Sequence, residues 1–149
     1  MATYLSNELA NTTTGLSTTV PVGYKPNATA VGGRVKEYRA TVTLAGQTTS
    51  DVIQLFNLPA GSTFLKGWMY VSATLGSSTI AIGNSGTAGK YRAAAAATTA
   101  DSPLDFGVTA AIANAAPLAA EETVLATIGG ATLPSSGSMV VVILVAIPN

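Results

Sequence analysis

From residue 34 onward, apolar and polar positions alternate with a period of two. Tyr38, Ala40, Val42 and Leu44 alternate with Arg39, Thr41 and Thr43, the signature of a half-buried strand. Residues 45–50 (AGQTTS) read as a turn, and Asp51 to Leu58 as the next strand. That strand is expected to place Val52 and Phe56 on one face and Ile53 and Leu55 on the other. Pro59-Ala60-Gly61 is a tight turn, since Pro presets one turn angle and Gly supplies another. Ser62 to Leu75 is the longest strand candidate. Phe64, Lys66, Trp68 and Tyr70 are expected on one face; Leu65, Met69, Val71, Ala73 and Leu75 share the other, with Gly67 between. The aliphatic set is the expected core face. The aromatic set carries a lysine and is expected to be a contact surface.

Gly76-Ser77-Ser78 turns the chain into Thr79 to Ile82, with Ile80 and Ile82 inward, and residues 83–89 (GNSGTAG) form a loop. Ala93 to Ala97 reads as a short helical turn or an extended run. Alanine favours helix, but five residues are too few to nucleate one. Asp101-Ser102-Pro103 is a turn, and Leu104 to Ala113 a weak strand or loop. Glu121 to Ile128 and Met139 to Ile147 are further strands, joined by residues 129–137 (GGATLPSSG). Met139 to Ile147 is the longest apolar run, far short of the about 20 residues a membrane-spanning helix takes, and reads as a buried strand.

Residues 1–33 lack a sustained period. They are rich in Thr, Asn, Gly and Ser, yet carry Tyr4, Leu5, Leu9, Leu16, Val20, Val22 and Tyr24. This segment is expected to be an extended arm with one short strand at Thr18 to Val22, ordered on a neighbouring subunit. Residues 34–149 form one domain. Many short strands separated by Gly, Pro and Ser turns predict an all-β fold, a jelly-roll-like β-sandwich.

Composition then narrows the chemistry. The 149 residues include no His and no Cys, which excludes a Ser-His-Asp triad, a thiol nucleophile, a His/Cys zinc site and a disulfide. Seven bases balance seven acids, so no bulk charge captures nucleic acid. Met1 to Glu8 does not read as a secretory signal, so synthesis in a cytoplasm is expected. Asp101, Asp105 and the Glu121-Glu122 pair lack the compact oxygen-rich loop that calcium needs. Gly89-Lys90 mimics the end of a phosphate-binding loop, but Asn84 stands where the first Gly belongs and Tyr91 where the hydroxyl belongs. Lys66 and Lys90 have no spacing that suggests a Ser-Lys dyad, and the few acids do not suggest a glycosidase pair. Arg34, Lys36, Tyr38 and Arg39 form the one basic-aromatic cluster. Lys36 and Tyr38 share one face while Glu37 and Arg39 share the other, which splits the charge. No catalytic residue, cofactor or metal is expected.

The order of the turn-and-strand segments carries a resemblance. Residues 42–53 (VTLAGQTTSDVI), 58–61 (LPAG), 75–83 (LGSSTIAIG), Lys90-Tyr91 and 133–137 (LPSSG), followed by an apolar last strand, resemble tailed-bacteriophage capsid decoration, or cement, proteins over roughly residues 38 to 147. The resemblance implies a structural virion protein on the outer surface of the head, bridging major capsid subunits and acting as a homo-oligomer, a trimer in preference to a dimer. It implies no catalytic residues. Contact candidates come from this chain alone: Phe64, Trp68 and Tyr70 as aromatic anchors, Tyr4, Leu5, Tyr24 and Lys25 in the arm, and Arg34, Lys36, Tyr38 and Arg39 in the basic cluster. Alternatives are a head or tail fibre module and a glycan-binding jelly-roll adhesin. Neither nucleic acid nor a membrane is an expected partner.

The neutral charge is also uneven. Up to residue 100 there are seven bases and three acids; from 101 on there are four acids and no base. This division suggests head-to-tail contacts between copies, with Glu121 and Glu122 facing a basic surface of the next subunit.

Overall fold

The computed structural model describes residues 34–107 and 116–147, so Tyr4, Leu5, Tyr24, Lys25 and the expected strand at Thr18 to Val22 lie outside the described residues. The alternating pattern resolves into eight strands: β1 (Arg34–Thr43), β2 (Val52–Leu58), β3 (Thr63–Val71), β4 (Thr79–Gly83), β5 (Arg92–Ala95), β6 (Leu104–Phe106), β7 (Glu122–Gly129) and β8 (Ser138–Ile147). The alanine run is extended, because β5 pairs with β4. There is no helix among the described residues.

Two four-stranded sheets form, in the orders β1-β8-β3-β6 and β2-β7-β4-β5. The pairings are nested. β1 pairs with β8, β2 with β7, β3 with β6 and β4 with β5, all antiparallel. The chain is thus one long hairpin folded over on itself, with β3–β8 and β4–β7 joining the halves into sheets. This is the jelly-roll arrangement. The core lies between the sheets. Met139, Val141, Ile143 and Val145 of β8 lie beside Met69 and Val71 of β3 on the inner face of one sheet, and Ile80, Ile82, Val124 and Ile128 come from the other sheet, all essentially buried. Burying each such side chain contributes about 1.5–3 kcal/mol.

Two bulges correct the sequence-based faces. In β3 an extra residue, Leu65, stands between Phe64, opposite Val145, and Lys66, opposite Leu144. A one-residue insertion reverses the alternation. Phe64 therefore points into the core at 6% exposure and stacks on Tyr91 with ring centroids 4.6 Å apart, while Leu65 is 43% exposed. Phe64 is not a surface anchor and does not share a face with Trp68 and Tyr70. In β2 the same event occurs at Leu55, between Gln54 and Phe56. Phe56 turns inward toward Tyr38 (5.8 Å between rings) and Val52 is left exposed, so those two do not share a face. Gly67 is required by packing: a Cβ there would enter the ring of Phe106, its partner on β6.

Candidate functional site

Past its bulge, β3 turns Lys66, Trp68 and Tyr70 to the outside of the β1-β8-β3-β6 sheet. The strand register sets them in rungs. Arg39, Val142, Trp68 and Asp105 form one rung from β1 to β6. Glu37, Leu144 and Lys66 form a second, and Thr41, Val140 and Tyr70 a third. Val142 faces outward yet is only 3% exposed, because the rung neighbours on either side are the long side chains of Arg39 and Trp68. Tyr70 stays open. Glu37, Arg39, Trp68, Tyr70, Val140 and Val142 line a shallow groove of about 450 Å³. At its β6 side Lys66 Nζ lies 2.9 Å from Asp105 Oδ2, with both side chains exposed. The groove thus has an aromatic and aliphatic floor with charged flanks.

The residues of β1 divide as their alternation dictates. Tyr38 points inward and half-buries against Phe56 and the core. It is therefore a packing residue on this chain rather than part of the outer face. Arg34 and Lys36 stay exposed. Glu37 and Arg39 lie on the outer face beside Trp68 and Tyr70, a juxtaposition the spacing within β1 could not show because it depends on β8 lying between.

Glu122 has a different place from the one its sequence suggests. Its carboxylate accepts hydrogen bonds from Asn84 Nδ2 (2.8 Å), Lys90 Nζ and the Tyr91 hydroxyl. All three donors come from the loop between β4 and β5. The loop itself is shaped by Asn84, whose Oδ1 accepts from the amides of Gly86 and Thr87 at 3.0 and 2.7 Å. Burial alone would raise the Glu122 pKa, but the three hydrogen bonds and the Lys90 charge outweigh it and hold the carboxyl below its usual range. The Tyr91 hydroxyl is pushed above its usual range by burial, then by its bond to Glu122 and the nearby charge. Glu122 is thus committed within its own chain and is not a free contact for a neighbouring subunit. Glu121 remains exposed, with Asn57 Nδ2 at 3.3 Å from its Oε1.

Sequence reasoning missed this cluster. It saw Lys90 and Tyr91 as a failed phosphate loop, whereas the feature that matters is Asn84, an Asx turn residue closing a hairpin over a distant acid. It also missed Arg92. That side chain is buried in β5, and its Nη1 donates to the carbonyl oxygens of Ile80 and, at 3.0 Å, Ala95, stapling the irregular β4–β5 ladder. Burial lowers its pKa. Among the described residues no three acids gather to hold a metal ion.

The fold has counterparts among solved structures. A chain of the cyanophage Pam1 capsid asymmetric unit is similar with a TM-score of 0.63 and 21% identity, over 90% of this chain and 96% of that one. A chain of the capsid of Ralstonia phage GP4 is similar with a TM-score of 0.63 and 17% identity, over 78% of this chain and 86% of that one. The acid-stable capsid of Helicobacter pylori bacteriophage KHP30 contains a chain similar at a TM-score of 0.53 and 15% identity, over 77% of this chain and 89% of that one. No protein-family model matches the sequence, and no curated protein matches it. This all-β sandwich therefore has the fold of chains found in phage capsid structures.

Proposed function

We propose that this chain is a structural protein of a tailed-phage head, bound to the outside of the shell as a small homo-oligomer and bridging major capsid subunits, with no catalytic role. The observation that carries the reading is the extent of the Pam1 likeness. It spans 96% of the matched chain, so the counterpart in that capsid is an object of this size rather than a piece of a larger one.

The proposed lattice contact is the outer face of the β1-β8-β3-β6 sheet. Trp68 and Tyr70 supply large apolar area at low entropic cost, as interface anchors do, and Arg39 and Lys66 at the flanks set register. The arm residues Tyr4, Leu5, Tyr24 and Lys25 would extend the contact beyond the domain. Phe64 and Glu122 take no part, since the fold has already used them. Each bound copy favours the assembled shell over its dissociated subunits by mass action.

The test is to add the purified protein to shells lacking it, before and after expansion. Saturable binding to expanded shells, with a raised shell melting temperature, is the expected result. Trp68→Ala is expected to weaken that binding at least tenfold, about 1.4 kcal/mol, while the protein keeps its far-UV circular dichroism. Absence of shell affinity, or glycan-array binding in its place, would overturn the reading.

A further inference from the structure

We propose that two copies of this chain pair edge to edge through β1, antiparallel about a two-fold axis at Tyr38, so that the two β1-β8-β3-β6 sheets become one, a two-fold pairing in place of the trimer that the resemblance implies.

Among the described residues the sandwich has four edge strands, and they differ. β5 has four residues and β6 three, and β2 is broken by its bulge. β1 runs ten residues with no register shift against β8, and among the described residues it has a neighbour on one side only. A long, regular, unpaired edge is a template for another strand unless something blunts it. The usual blunting device is charge, and β1 carries Arg34, Lys36, Glu37 and Arg39. Their signs are mixed, so the effect depends on register.

With Tyr38 opposite the partner's Tyr38, Glu37 faces the partner's Arg39, and the symmetry supplies that pair twice. Lys36 faces the partner's Ala40, and Arg34 the partner's Val42, so no like charges meet. Other registers do worse. Sliding by one residue either sets Lys36 against the partner's Arg39 or leaves every charge without an opposite partner. Sliding by two sets Glu37 against Glu37 or Arg39 against Arg39. Sliding by three in the direction that pairs Lys36 with the partner's Glu37 also sets Arg34 against the partner's Arg39. Like charges directly opposite destabilise a strand pair, and opposite charges and aromatic pairs stabilise it.

The chosen register also agrees with the faces of the sheet. Tyr38 points inward beside Phe56, so the two tyrosines meet on the core side as an aromatic pair. Glu37 and Arg39 lie on the outer face. The rung Asp105–Trp68–Val142–Arg39 then runs on into the partner's Glu37, Leu144 and Lys66. Charge and apolar surface then continue without interruption across seven strands, and the two outer grooves lie side by side on one face.

Sedimentation equilibrium of the full-length protein, without capsids, tests this. The wild type is expected to be a dimer. Glu37→Arg and Arg39→Glu, each alone, are expected to weaken it at least tenfold, because each replaces both attractive pairs with repulsive ones. The double variant Glu37→Arg/Arg39→Glu is expected to dimerise again. A mixture of the two single variants is expected to form a heterodimer, since that combination sets two arginines against two glutamates. The rescued variant and the mixture also show that a weakened single variant is still folded. A wild-type monomer or trimer, single variants of unchanged mass, or failure of the mixture to associate would overturn the pairing. Shell binding is not read in this experiment, so the capsid reading and the pairing can fail separately.

Discussion

Two lysine–carboxylate pairs tie the earlier part of the chain to its last third, in opposite surroundings. Lys66 and Asp105 meet on the outer sheet face at 2.9 Å, with side chains 43% and 55% exposed. Lys90 and Glu122 meet where the carboxylate is only 13% exposed and is shared with Tyr91 and Asn84. The chemistry is the same and the consequences differ. Water already satisfies the first pair, so little is lost when it opens and it is free to exchange partners. The second has no such substitute and holds a loop in place. Both pairs also show where the uneven charge of the chain goes. Two of the four acids beyond residue 100 are neutralised by lysines of the same chain, which leaves less for a head-to-tail contact than the sequence suggests.

The largest effect is expected from the buried pair. Glu122→Ala leaves Lys90, Tyr91 and Asn84 without their acceptor and is expected to cost about 2–3 kcal/mol in denaturant unfolding, the usual penalty for orphaned buried donors. The pH dependence is smaller. Glu122 has a lowered pKa, so its contribution is complete above the unfolded carboxyl value of about 4.3 and drains away as pH falls toward its lower folded value. Tyr91 has a raised pKa, so its contribution is complete below about 10 and is lost as pH rises beyond that. Unfolding free energy measured from pH 3 to 11 is expected to fall at both ends, and Glu122→Gln is expected to flatten the acid limb. The smallest effect belongs to the exposed pair. Lys66→Ala is expected to cost no more than about 0.5 kcal/mol, and less in high salt. Equal losses for Lys66→Ala and Glu122→Ala would remove the distinction.

Much of the fold was legible from alternation alone. β1, β4, β7 and β8 lie within a residue or two of their expected bounds, because Ile80, Ile82, Val124, Ile128 and the β8 run bury one regular face each. What alternation could not show was the point at which it reverses. Leu55 and Leu65 sit in runs that read equally well with or without an extra residue, and only the partner strand reveals the insertion. Phe64 lies on the core side, opposite to what uninterrupted alternation predicts, for that reason. The candidate surface was half legible. Trp68 and Tyr70 share a face as spacing predicts, but Arg39 and Glu37 join them only through a sheet order that places β8 between β1 and β3. The Glu122 cluster spans more than thirty residues and uses a loop asparagine, a combination with no periodic signature.

The nested pairing of the strands has a kinetic consequence. Ile82 and Arg92, near the turn of the long hairpin, are ten residues apart, whereas Arg34 and Ile147 at its open end are separated by 113. Closing the outermost ladder from a disordered chain fixes the largest loop, while closing it after the inner ladders adds only short segments. The economy of loop closure predicts a zipper that starts at β4–β5 and finishes at β1–β8, and a topology so rich in distant contacts is expected to fold slowly. In a copy emerging from synthesis, β1 has no β8 to pair with until residues 138–147 have been made. On that route the strand proposed to join two copies is the last one each copy pairs internally, which would make a folded monomer the unit that assembles.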